Sequence, residues 1–146
     1  MRSRNANARE VDRGGMHDPR FGPLTHTILG ACIEVHEQLG PGLLESAYEE
    51  CLALEMRRRA LRFERQPRIP LVYKGHRGEH AFQPDFVVSG EVILEVKAVQ
   101  TLLAVHKAQL RTYLKLRAID VGLLVNFNVP LLSQGGIRRI TLSSSS

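Results

Sequence analysis

Apolar residues first recur in an ordered way at Leu24, Ile28, Ala31, Cys32 and Val35, three or four positions apart. That spacing lines one face of a helix and predicts one over 24–39, stopped by Gly40-Pro41-Gly42. A second stripe, Leu44, Ala47, Cys51 and Leu54, predicts a helix from 43 to about 59. Glu45, Glu49 and Glu50 near its start and Arg57-Arg58-Arg59 at its end suit the helix dipole. After Ala60 the chain becomes strand-like, over 63–73 (interrupted by Pro67 and Pro70), 81–88 and 92–99, with Gly75 and Ser89-Gly90 as turns. A third helix fits 102–117, followed by a strand over 121–127 and a last short one around 139–142.

The predicted order is α-α-β-β-β-α-β-β. A helix between the third and fourth strands supplies the crossover that parallel neighbours require. The fold class is therefore α/β, a mixed β-sheet flanked by helices. Residues 1–21 and 143–146 show no such periodicity and are expected to be a disordered arm and tail around one domain, 22–142.

Composition narrows this picture. A chain of 146 residues is long enough for one core. No apolar run nears the roughly 20 residues that span a bilayer, so no membrane partner is expected. The polar N-terminal stretch has no apolar segment of a secretory signal, which points to the cytoplasm. Cys32 and Cys51 lie in helical apolar patterns without zinc-site spacing and read as buried thiols. A formal charge of +5 favours a polyanionic partner, nucleic acid above all.

Against that background the segment QPDFVVSGEVILEVK stands out, because Asp85, Glu95 and Lys97 interrupt apolar, β-branched runs. If Ser89-Gly90-Glu91 form a three-residue loop, Val88 pairs with Val92 and Asp85 falls opposite Glu95. Directly opposed residues share a face, with Cβ atoms about 4.5–5.5 Å apart. Lys97 lies two residues beyond Glu95 and shares that face, whereas Leu94, Val96 and Ala98 point the other way. A two-residue turn would instead set Asp85 opposite Leu94.

Two adjacent carboxylates repel unless a cation lies between them or one is protonated. They suit a hard divalent cation such as Mg2+, which takes one or two protein carboxylates and keeps several waters. A lysine beside such an ion can position an attacking water or steady charge developing on phosphate. The spacing is also compatible with a hairpin in which Lys97 simply neutralises a carboxylate across the strands. On the third helix His106, Gln109 and Tyr113 fall on one stripe, while Lys107, Arg111 and Lys115 form another, read as solvated. Asn126 and Asn128 read as strand-end turn residues.

These residues resemble the PD-(D/E)XK nuclease superfamily, with Pro84-Asp85 as its PD and Glu95-Val96-Lys97 as its ExK. Gly42-Leu-Leu-Glu45-Ser-Ala-Tyr48 is similar to the motif that names the GxxExxY proteins, a group within that superfamily. The segments LVYKG, AQLRTYLKL and GLLVNFN fit as well. The resemblance implies a restriction-endonuclease-like core and a nuclease using Mg2+ or Mn2+ to hydrolyse DNA or RNA. It implies Asp85, Glu95 and Glu45 as metal ligands, Lys97 and Gln109 as catalytic partners, and Tyr48, His106 and Tyr113 as supporting residues. A homodimer is a further expectation for so small a domain. The competing expectation is a nucleic-acid-binding or protein-interaction module that keeps the fold without turnover.

Overall fold

The computed structural model describes residues 21–142, so the expected tail and all of the expected arm but Phe21 lie outside the described residues. Helix α1 spans Pro23–Leu39 and α2 spans Glu45–Arg58. Between them Gly40 and Gly42 adopt φ of 70° and 100°, values that a side chain disfavours, and so turn the chain within five residues. Strands follow at β1 Phe63–Arg65, β2 Ile69–Tyr73, β3 His76–Phe82, β4 Phe86–Val88 and β5 Val92–Lys97. Helix α3, Ala104–Arg117, leads to β6 Val121–Asn126 and β7 Ile137–Thr141.

Five strands form one sheet in the order β1-β4-β5-β6-β7, and β2 with β3 forms a separate hairpin. Only β5 and β6 run parallel; the other neighbours are antiparallel. The mixed sheet flanked by helices is the α/β class expected. Ile28, Ala31, Cys32 and Val35 of α1 and Tyr48, Leu52 and Met56 of α2 cover one face, meeting Val88, Leu94, Val96, Leu123 and Val125. Leu110, Tyr113 and Leu114 of α3 cover the other, meeting Val87, Ile93 and Leu124. Coverage on both sides explains why β5 and β6 read as continuous apolar runs rather than alternating ones. Gly122 lets α3 press onto β6, since a Cβ there would lie 3.0 Å from Leu110.

One polar side chain ties these layers together. His36, buried in α1, donates Nε2–H to the carbonyls of Phe127 at 3.1 Å and Val129 at 2.8 Å, just beyond β6. Cys32 lies wholly buried, and that burial pushes its thiol up to about 12 despite the opposing charge of Arg59.

Where three strands were expected ahead of α3, there are five. Strand β3, HRGEHAF, begins five residues before the expected run and is exposed over most of its length, so no alternation of apolar residues marks it. The run expected over 63–73 divides at Gln66-Pro67, and the run over 81–88 divides at Gln83-Pro84, because proline supplies no N–H to a ladder.

Candidate active site

The β4–β5 hairpin turns through Ser89 and Gly90, both with positive φ, and closes with Glu91 N–H donating to the Val88 carbonyl at 2.9 Å. Its register is Val88↔Val92, Val87↔Ile93 and Phe86↔Leu94. One further step sets Asp85 against Glu95. There the side chains take over from the backbone ladder: the Asp85 amide donates to Glu95 Oε2 at 2.8 Å, and the Val96 amide donates to Asp85 Oδ2 at 2.7 Å. Each carboxylate thus has one oxygen on the opposite strand's backbone and a second oxygen for another partner.

Glu95 is only 4% exposed and Asp85 is half-buried. Burial raises the Asp85 carboxyl to about 7; the negative charge of Glu49 adds to the rise, while the Val96 amide and Lys97 oppose it. Burial raises Glu95 to about 8, helped by the charge of Asp85 and opposed by that residue's amide and by Lys97. Both shifts express one condition, too little positive charge near two buried acids. Lys97, half-buried at the end of β5, supplies some of it. Tyr113 faces both carboxylates from α3; burial and their charges hold its phenol up to about 12, so it stays a neutral donor. Its ring stands edge-on to Phe82 with centroids 6.1 Å apart.

The strand end that carries Lys97 is fixed from β6. Lys97 pairs in register with Asn126, and its carbonyl accepts the Phe127 amide at 2.8 Å. Asn126, 3% exposed, donates Nδ2–H to the Val99 carbonyl at 2.9 Å and accepts the Val99 amide at 3.0 Å and the Asn128 amide at 3.2 Å. Sequence reading placed Asn126 in a turn; its side chain instead acts as a length of strand for the chain leaving β5. A polar residue directly after five apolar strand positions was the signal.

Four expected site residues are placed differently. Glu45, exposed at the start of α2, accepts the Ala98 amide at 3.3 Å, next to Lys97 rather than between Asp85 and Glu95. Tyr48 is fully buried on the opposite face of the sheet, stacked on Phe127 at 4.6 Å. Its hydroxyl donates to the Gly40 carbonyl at 2.6 Å and accepts the Leu43 amide at 3.1 Å, so it clamps the turn before α2 instead of holding Glu45. His106 accepts the Leu103 amide on Nδ1 at 2.9 Å, a cap for the start of α3. Gln109 lies exposed one turn before Tyr113.

Sequence reading passed over Glu49. It is 6% exposed, accepts Arg65 Nε–H at 2.9 Å and Gln66 Nε2–H at 2.7 Å, and lies within hydrogen-bonding reach of the Asp85 carboxyl. Its position one helical turn after Glu45 was the available clue; a dipole explanation for all the early glutamates of α2 concealed it. Among the described residues no three His, Cys, Asp or Glu side chains converge on one point as a metal cluster. Asp85 and Glu95 each keep one carboxylate oxygen off the backbone, the chemistry that suits a hard cation retaining water.

A mixed sheet between helices, with an acidic pair and a lysine at the mouth of its central hairpin, is a nuclease-type core. Residues 23–140 match the family model of the PD-(D/E)XK nuclease superfamily, and the chain belongs to it. That superfamily generally employs divalent metals. No curated protein and no solved structure matches the chain. No described helix is long and apolar enough to cross a membrane.

Proposed function

We propose that the protein is a Mg2+- or Mn2+-dependent nuclease hydrolysing phosphodiester bonds of DNA or RNA, within the GxxExxY group. The observation that carries this reading is the pairing of Asp85 with Glu95 beside Lys97, with both carboxyls held far above their ordinary range. Asp85 and Glu95 would hold the ion, which lowers the pKa of bound water and offsets charge on phosphate. The Lys97 ammonium orients the attacking water and steadies the developing negative charge from the same strand face. Tyr113, kept neutral, donates a hydrogen bond across the site, and Glu49 holds the Asp85 end of the pair. Glu45 fixes the backbone just past Lys97 from the solvent side, and the exposed Gln109 contacts substrate at the helix edge.

Purified protein incubated with DNA and RNA in Mg2+ or Mn2+ tests the reading. Cleavage is expected for the wild type and absent for Asp85→Ala and Lys97→Ala; equal cleavage by all three would remove it. A second reading, a nucleic-acid-binding module without turnover, draws on Glu49, the third carboxylate near the pair, being engaged by Arg65 and Gln66, so that among the described residues no three acids form a metal cluster.

A further inference from the structure

The β2–β3 hairpin lies outside the main sheet and leads straight into the acidic pair through Gln83-Pro84. An isolated two-stranded hairpin is marginal in water. This one is rooted only at its base, where Ile69 is buried opposite Phe82 and Phe82 meets Tyr113 of α3. Its outer half is exposed and chemically distinctive. Tyr73 is 67% exposed and Val72 52%, and Lys74-Gly75 make the turn, both with positive φ. The segment carries three surface cations, Arg68, Lys74 and Arg77, and one surface acid, Glu79.

The register orders these groups. Tyr73 pairs with His76 and Val72 with Arg77. The register shifts between Pro70 and Val72, so the tip, where Tyr73 and His76 share a face, is set apart from the base, where Phe82 pairs with Ile69 and meets Tyr113. Lys74 Nζ lies 5.4 Å from the Tyr73 ring centroid. A cation covers one face of a ring and leaves the other open.

Exposed rings flanked by cations are what single-stranded nucleic acid requires, since unpaired bases stack on aromatic groups while phosphates follow positive charge. A duplex keeps its bases stacked inside and offers no such surface. We propose that the β2–β3 hairpin grips single-stranded nucleic acid, Tyr73 and His76 stacking on unpaired bases and Lys74 and Arg77 contacting phosphates, and leads the strand toward the acidic pair into which β3 runs. Its destination rests on the nuclease reading; the grip does not.

The test is fluorescence anisotropy with labelled single-stranded DNA and RNA oligonucleotides and a blunt duplex, in EDTA so that cleavage plays no part. Tyr73→Ala is expected to weaken single-strand binding about 10-fold or more, with Tyr73→Phe restoring it. Lys74→Ala with Arg77→Ala is expected to lower the salt slope by roughly 1–1.5. Thermal melts check that these surface variants stay folded. Wild-type affinity in both variants, or a wild type that binds only duplex, overturns the grip. Hairpin-dependent binding by a protein that cleaves nothing would leave the grip standing and remove the nuclease reading. Cleavage and binding untouched by the hairpin variants would do the reverse.

Discussion

Asp85 and Glu95 exchange backbone hydrogen bonds: the amide of Asp85 donates to Glu95 Oε2 at 2.8 Å, and the amide after Glu95 donates to Asp85 Oδ2 at 2.7 Å. The acids are therefore held before any ion arrives, and the cost of burying them is expressed in their titration.

That cost should appear as pH-dependent stability. Both carboxyls are raised, from 3.8 to about 7 and from 4.5 to about 8, so the folded state binds more protons than the unfolded chain between these limits. Stability is then fully present below about pH 4 and is lost as pH rises through about 8. In EDTA, Glu95→Gln should stabilise the protein by roughly 1–2 kcal/mol at pH 9 and hardly at all at pH 4. Melting curves across that range check it; a stability that rises with pH in the wild type alone would contradict it.

Ion binding should release protons. At pH 6.5 the pair retains protons that a divalent cation must displace, so Mn2+ affinity should rise steeply up to about pH 8 and flatten beyond. Calorimetry in buffers of different ionisation enthalpy counts the released protons. Asp85→Asn or Glu95→Gln should reduce affinity at least 10-fold.

Glu49 and Glu45 should separate cleanly. Removing the Glu49 charge as Glu49→Gln keeps acceptors for Arg65 and Gln66 yet relieves Asp85, whose carboxyl should titrate lower. Glu45→Gln, whose partner is the Ala98 amide, should leave that titration where it was. Side-chain carboxyl NMR distinguishes the two, and equal shifts would show that Glu49 has no special hold on Asp85.

Asn126→Ala should destabilise the fold by about 1–3 kcal/mol, because it leaves the half-buried N–H and C=O of Val99 without their partner. Since Lys97 lies just before that clamp, any nuclease activity should fall with it, kcat more than KM. Chemical denaturation and steady-state kinetics measure the two effects.

The first helix was legible because Ile28, Ala31, Cys32 and Val35 are its buried stripe, and the central hairpin because a three-residue loop fixes its register. The second helix was found on the wrong stripe, since Leu44 and Leu54 are exposed and Cys51 half-buried while Tyr48, Leu52 and Met56 face the core. Strand β3 was not legible: a strand buried on neither face leaves no alternation to read. The same limit hid Glu49, whose importance depends on Arg65, Gln66 and Asp85 arriving from residues distant in sequence. Tyr48 was legible as a partner of the turn's motif but not as its clamp, since the acceptor is a carbonyl eight residues earlier. For Gln109, the stripe shared with Tyr113 predicted a common face, but only Tyr113 is turned far enough inward to be buried.

The Tyr48 clamp also sets the angular phase of α2. With Gly40 and Leu43 both bonded to one hydroxyl, the helix starts at a fixed rotation, and Glu45 and Glu49 inherit their bearings from it. One residue inserted between Gly42 and Glu45 would advance the helix by roughly 100°. Both glutamates would swing away from the sheet end, and Tyr48, Leu52 and Met56 would turn out of the core with them, so the five-residue joint works as a keyway that indexes one half of the fold to the other.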